Sequence, residues 1–167
     1  MKVLKFGGTS VGSSKNIAKV IKIVKEESAT ENIVVVVSAV GGITDKLLAA
    51  ADKAINKDYS YKQDFDALRL KHIDVIDGLL SGEVHETTTD VVLEHLSRLE
   101  KLLDGVYLIN ELSPKTTDKL LSFGELISSL IIYEAMKSKG LNVQLKNSQN
   151  LIVTDSNFTN ATKTTSI

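Results

Sequence analysis

The sequence predicts an α/β fold built on a mainly parallel sheet, and three observations lead there. Val3, Leu4 and Phe6 make a short apolar strand that stops at Gly7-Gly8. Ile33 to Val37 is an unbroken β-branched run, too short for a helix and suited to a parallel strand covered on both faces. Between the two, Ile17, Val20, Ile21 and Val24 recur at i, i+3, i+4 and i+7, the apolar stripe of a helix packed on one side. Strand, glycine turn, helix, strand, glycine turn is the pattern of a sheet with helices laid on it. Ligands of such sheets collect at the carboxyl ends of the strands, where both glycine turns fall.

The other elements follow in order. Ser13 or Ser14 caps the first helix near Lys15, and Thr44 or Asp45 caps a second helix that turns Leu47, Leu48 and Ala51 inward. From Tyr61 to Asn110 no strand is expected. Leu68, Ile73, Ile76 and Leu80 mark one helix, and Val92, Leu96, Leu99 and Leu103 another, with Gly78, Ser81 and Gly82 loosening the connection. This pair serves the core or, alternatively, a partner. Pro114 precedes a long helix through about Lys139, which Gly140 stops. Asn142 to Lys146 and Leu151 to Val153 read as two more short strands, and the polar end from Asn160 to Ile167 reads as frayed or as a cut in a longer chain.

Composition narrows the function classes. The 167 residues are 43% hydrophobic and 25% charged, enough for one domain with a proper core. A net charge of −1 and only two arginines, Arg69 and Arg98, argue against nucleic-acid and anionic-membrane partners. With no cysteine there is no disulfide or thiolate chemistry. The longest apolar runs, Ile33 to Val37 and Leu130 to Tyr133, are too short to span a bilayer, and Lys5 interrupts the amino-terminal one, so the expectation is a cytoplasmic protein. His72, His85 and His95 are scattered and are read as surface or helix residues.

Lys5-Phe6-Gly7-Gly8-Thr9-Ser10 carries the most information. Adjacent glycines let the main chain bend tightly and approach a ligand, and their amides, with the next helix N-terminus, can face an anion. Lys5 beside the turn can offset charge on a transferring phosphoryl group. The dinucleotide fingerprint fails because Thr9 stands where its second glycine belongs. The P-loop fails because Ser13 and Ser14 follow Gly12 where lysine and Ser/Thr are required. A plain strand-to-helix turn with an exposed Lys5 remains the competing reading. Ser38-Ala39-Val40-Gly41-Gly42-Ile43-Thr44 repeats the logic at the second strand end, with hydroxyls from Ser38 and Thr44 and amides from Gly41 and Gly42. In Ser122-Phe123-Gly124-Glu125-Leu126-Ile127-Ser128 a glutamate with apolar neighbours is a candidate for partial burial. It would then need a partner, such as a ligand ammonium or a structural cation. Gly124 costs helix stability, which implies a close approach at that point. The expected site places the two glycine turns side by side, with Lys5 and Glu125 aimed into the gap.

These three segments, Lys5 to Ser10, Ser38 to Thr44 and Ser122 to Ser128, together with Val153 to Ala161, resemble in order and spacing the signatures of aspartate kinases, members of the amino-acid kinase family. The resemblance implies a three-layer α/β/α sandwich around a mainly parallel sheet, with residues 1–167 as the N-terminal portion of the catalytic domain. It also implies that the ATP-binding second half and the regulatory ACT domains are absent from this chain. The implied reaction is transfer of the ATP γ-phosphoryl group to the β-carboxylate of L-aspartate, giving 4-phospho-L-aspartate on the way to lysine, threonine and methionine. By the same implication Lys5 is catalytic, and Lys5, Gly7, Gly8, Thr9 and Ser10 hold phosphate. Ser38, Gly41, Gly42 and Thr44 contact aspartate, and Glu125 binds its ammonium group. Mg²⁺ accompanies ATP without a protein ligand in this segment, and a homo-oligomer is possible. No arginine follows Arg98, and the family's arginine- and glycine-rich stretch ending in Ser-Asp-Tyr is missing, so the chain alone is expected to be inactive. The alternatives are a kinase of the same fold acting on glutamate, N-acetylglutamate, carbamate or UMP, or a non-catalytic assembly module.

Overall fold

The computed structural model describes residues 1–164. Two strands, β1 (Lys2–Phe6) and β2 (Ile33–Val37), pair in parallel with Lys2 opposite Ile33 and Phe6 opposite Val37. Helix α1 (Ser14–Ser28) makes the crossover between them. Four helices follow: α2 (Ile43–Ile55), α3 (Tyr61–Asp77), α4 (Gly82–Ile109) and α5 (Pro114–Ser138), then a 3₁₀ turn at Ser148–Asn150. The α/β class and the parallel pairing are as the sequence predicts.

The register puts alternate side chains on opposite faces of the pair. Leu4, Phe6, Ile33, Val35 and Val37 pack on the core beneath α1 and α5, with Ile17, Val20, Ile21 and Val24 of α1 buried against them. The other face carries Val3, Lys5, Val34 and Val36, and Val34 and Val36 are 43% and 44% exposed. The expectation that β2 is covered on both faces is therefore corrected: among the described residues, helices lie on one side only.

The helix boundaries follow local chemistry. Ser13 caps α1, its hydroxyl accepting from the Asn16 amide at 3.3 Å. Ser113 caps α5 in the same way through Thr116, with Pro114 at the first helical position, where its missing N–H costs nothing. Gly140, at φ +79°, turns the chain out of α5. Helix α2 differs from expectation. It begins at Ile43, and Gly42 in the left-handed region precedes it, so Thr44 and Asp45 lie inside the first turn and do not cap it. The two C-terminal strands also fail to form. Residues 141–147 have no regular structure, although Val143 leans on the core, and the only pairing described beyond α5 is one antiparallel bridge between Thr154 and Lys163. An apolar alternation without an adjacent strand has no ladder to complete.

Helices α3 and α4 form an antiparallel hairpin whose apolar stripe (Phe65, Leu68, Val75, Ile76 against Val92, Leu96, Leu99, Leu103) belongs to the core, as the first of the two sequence readings has it. At its far end Tyr59, Tyr61 and Tyr107 stack with centroids 5.3 to 5.9 Å apart. The Tyr61 hydroxyl donates to Asp104 at 2.7 Å, and burial, followed by that bond, pushes its pKa up to about 12. Lys62 sits between Asp104 (2.6 Å) and Glu100 (2.9 Å). Burial there works against its charge, but the two carboxylates outweigh it and raise the pKa above the usual lysine range.

At the near end of the hairpin α3 closes on α1. A Cβ built on Gly78 would stand 2.5 Å from Ser14 Cβ and 2.3 Å from its Oγ. Gly78→Ala is accordingly expected to cost about 1–2 kcal/mol in urea denaturation, and Ser14→Gly in the same chain to recover part of it. Full additivity of the two changes would show that this contact is not the cause.

Candidate active site at two glycine turns

The first turn is built by its own main chain. The amides of Ser10 and Val11 donate to the Gly7 carbonyl at 2.9 and 3.3 Å, Val11 also to Gly8 at 3.2 Å, and Gly12 to Thr9 at 3.4 Å. Val11 is fully buried and anchors the turn from below. Asn16 fastens it from α1, its side-chain amide donating to the Thr9 carbonyl at 3.1 Å. The amides of Gly8 and Thr9 have no acceptor among the described residues and remain free to meet an anion, beside the N-terminus of α1, whose first turn holds no acidic residue. The Ser10 amide is spent inside the turn, which leaves only its hydroxyl for a ligand.

The second turn lies against the first. Its Ser38 amide donates to the Phe6 carbonyl at 3.1 Å, extending the parallel pairing one residue past β2. A Cβ on Gly41 would come within 2.9 Å of the Gly8 carbonyl oxygen and 3.2 Å of Gly12 Cα. A Cβ on Gly8 would reach the Ala39 carbonyl at 3.3 Å. Main chain thus touches main chain across both turns, a contact only glycine allows. The expected adjacency of the two turns is what the chain forms.

Glu125 arrives from α5. Gly124 lets that helix press on the second turn, because a Cβ there would stand 2.9 Å from Ala39 Cβ and 3.5 Å from Ile43 Cγ2. This is the close approach that a helical glycine implied. Glu125 Oε1 then accepts from the Ala39 amide at 3.4 Å. The carboxylate is exposed rather than partly buried, since Phe123, Gly124, Ile127 and Ser128 take the inward positions of this turn of α5. Its second oxygen stays available.

Lys5 is exposed and has no ion pair among the described residues. It leaves β1 on the uncovered face of the sheet, whereas Glu125 reaches the strand tips from the helix-covered side. Both lie toward the carboxyl ends of the strands. Gly7, Gly42, Thr9, Ser10 and Thr44 are exposed at the same end, and Gly8, Ser38 and Gly41 are half-buried. Asn16, Val11 and Gly12 complete the arrangement and were not singled out as site residues. The Gly7 to Gly12 bracket was the available signal, rejected as a P-loop but meaningful as a turn closed by Val11.

Chemically this end of the sheet offers two free amides, a helix N-terminus, one ammonium, four hydroxyls (Thr9, Ser10, Ser38 and Thr44) and one carboxylate with an open oxygen. That set suits an anion on the first turn and a cation-bearing ligand on the second. Among the described residues no group of three or more His, Asp or Glu side chains gathers to hold a metal ion, and no helix is long and apolar enough to cross a membrane.

Comparisons with known proteins identify the family and the fold. The profile of the amino acid kinase family matches residues 1–164. The chain is 34% identical over 164 residues to aspartokinase 1, chloroplastic, of Arabidopsis thaliana, covering 95% of this chain and 27% of that one. It is 34% identical over 157 residues to the aspartokinase of Candida albicans, covering 90% and 28%. It therefore spans about a quarter of the length of these relatives. The fold superposes on E. coli aspartokinase III, solved in complex with aspartate and ADP, with a TM-score of 0.87 at 27% identity, over 98% of this chain and 35% of that one. From the matched profile and the superposed fold, the chain belongs to the amino acid kinase family.

Proposed function

We propose that these residues are the amino-terminal part of an aspartate kinase catalytic domain, holding the amino-acid substrate and part of the ATP phosphates. The observation that supports it best is the fused pair of glycine turns with the Glu125 carboxylate seated on the second. In this reading the free amides of Gly8 and Thr9, with Gly7 and the Ser10 hydroxyl, hold phosphate oxygens. Glu125 Oε2 accepts from the aspartate ammonium while Oε1 stays on Ala39. Ser38, Thr44 and the Gly41-Gly42 main chain position the remainder of the substrate.

The transfer forms a bond between a β-carboxylate oxygen of aspartate and the γ-phosphorus. It breaks the bond to the β,γ-bridging oxygen, which leaves with ADP. The nucleophile is already ionised at neutral pH, so no general base is required. Lys5 offsets negative charge on the transferring group, and its place on the open face brings it to a nucleotide lying over the strand tips. The described residues do not fit Mg²⁺, so the ion belongs to the nucleotide in this reading and no step is derived through it. E. coli aspartokinase III, the structural relative, is complexed with aspartate and ADP. The remaining nucleotide contacts, assembly into oligomers, a cytoplasmic setting and a role toward lysine and threonine form part of the same proposal.

Isothermal titration of the 167-residue chain with L-aspartate tests it. Binding is expected, and Glu125→Ala is expected to weaken it roughly tenfold, the loss of one charged hydrogen bond. Glutamate, one methylene longer, should bind less well. Undiminished binding by the variant, or preference for an acylated amino acid, would remove the assignment. A coupled assay should detect no aspartate-dependent ATP turnover by this chain alone, and turnover would refute the division of the site.

A further inference from the structure

A second concavity, separate from the glycine turns, lies between α4 and α5. Its volume is about 280 Å³, just below the usual range for drug-sized ligands and roomy for a compact one. Leu102, Phe123 and Leu126 give it an apolar floor, and His95, Arg98 and Lys119 stand around it. No carboxylate lines it.

The charges there are incompletely answered. Arg98 gives one nitrogen to Glu94, both side chains being exposed, and keeps further N–H donors of its fork. Lys119 has no carboxylate partner among the described residues, and its ammonium lies 5.8 Å from the Phe123 ring centroid. Its neighbour Asp118 is taken by the Thr159 amide at 2.8 Å. Partial burial, and then the Arg98 charge, hold His95 below the ordinary histidine range, so at neutral pH it offers an uncharged donor or acceptor. One unanswered ammonium, and the spare N–H donors of a guanidinium whose charge is shared with Glu94, stand beside an apolar floor, a place where an anion is attracted and hydrocarbon is covered.

We propose that this cavity binds a small organic anion, a carboxylate on a compact apolar or aromatic body. The carboxylate is met by Arg98 and Lys119, and the body lies on Phe123, Leu102 and Leu126. An inorganic anion would leave the floor wet. The site shares α5 with Glu125 but none of the residues assigned to substrate, so it stands or falls independently of the kinase reading.

Benzoate is the probe, titrated into the ¹⁵N-labelled 167-residue chain with amide shifts followed by NMR. Saturable shifts are expected in residues 95–102 and 119–126. Benzamide, which lacks the charge, and acetate, which lacks the ring, should each bind more weakly. The Arg98→Gln, Lys119→Gln chain should lose roughly tenfold or more in affinity. Both side chains are exposed, so its circular dichroism should be unchanged, and Lys119→Gln alone provides a second variant with a smaller loss. Shifts that fail to saturate, shifts centred on the glycine turns, or equal affinity for benzamide or for the variants would overturn the proposal.

Discussion

Replacing Gly41 with alanine is expected to cost about 3 kcal/mol of folding stability and to abolish the proposed aspartate binding with it. The added Cβ would stand 2.9 Å from the Gly8 carbonyl oxygen and 3.2 Å from Gly12 Cα. Both obstacles are main chain, so no side-chain rotation relieves them. Gly8 itself lies close against the second turn, since a Cβ built on it would stand 3.3 Å from the Ala39 carbonyl oxygen. A Cβ built on Gly12 would likewise stand 3.2 and 3.4 Å from the Gly8 and Thr9 carbonyl oxygens. The variant must therefore part the two turns, and Ala39, which carries the Glu125 contact, moves with the second. Gly7→Ala is the control, since a Cβ there meets nothing within 4 Å. Urea denaturation of the two variants decides the matter: equal losses would show that close packing at Gly41 is not what joins the turns.

Acidification from about pH 6.5 to pH 4 is expected to remove on the order of 3 kcal/mol of stability through His72 alone. The imidazole is fully buried, and its Nδ1–H donates to the Leu68 carbonyl at 2.9 Å. Nε2 is buried with no partner among the described residues, so a second proton would have no acceptor. Burial lowers the pKa to about 4, only partly opposed by the Leu68 bond and slightly aided by Lys71. Between the folded value and the unfolded value near 6.5, the unfolded chain binds a proton that the folded chain refuses. Stability is thus complete above about pH 6.5, declines as pH falls, and levels off below about pH 4. Carboxylates titrate in the same acid range, so the measurement is the difference between the wild-type and His72→Leu curves. Parallel curves would mean that His72 takes up its proton equally in the folded and unfolded chains.

His72 also marks a limit of reading the sequence. The sequence reading makes it a surface or helix residue, yet Leu68, His72, Val75 and Ile76 fall at i, i+4, i+7 and i+8, the stripe of a buried face. Residue type was allowed to outweigh position. The helices were legible because each carries its own period and its own stop: Ser13, Pro114 and Gly140 act within a turn of where they stand. The strands beyond α5 were not, because pairing depends on a neighbour that Asn142 to Lys146 never meets. The coverage of β2 failed for the same reason, since which face a helix lies on is decided by distant packing. The glycine turns were legible as types, and their adjacency was a fair expectation from parallel strands. That Gly41 rests on Gly8, and that Gly124 admits Ala39, are contacts between distant segments to which no local pattern points. Glu125 stands on an outward turn of α5 for an equally non-local reason, the demand of Phe123 and Ile127 for the interior.

The tyrosine stack at the far end of α3 and α4 has a practical consequence for any spectroscopist. The chain has no tryptophan and four tyrosines, so three of its four ultraviolet emitters occupy one corner. The fourth, Tyr133, stands alone on α5. Intrinsic emission therefore watches the hairpin tip, with Tyr61 held beside the quenching carboxylate of Asp104. A fluorescence melt that precedes the dichroism melt would report fraying of that tip, while the glycine-turn end stays optically silent.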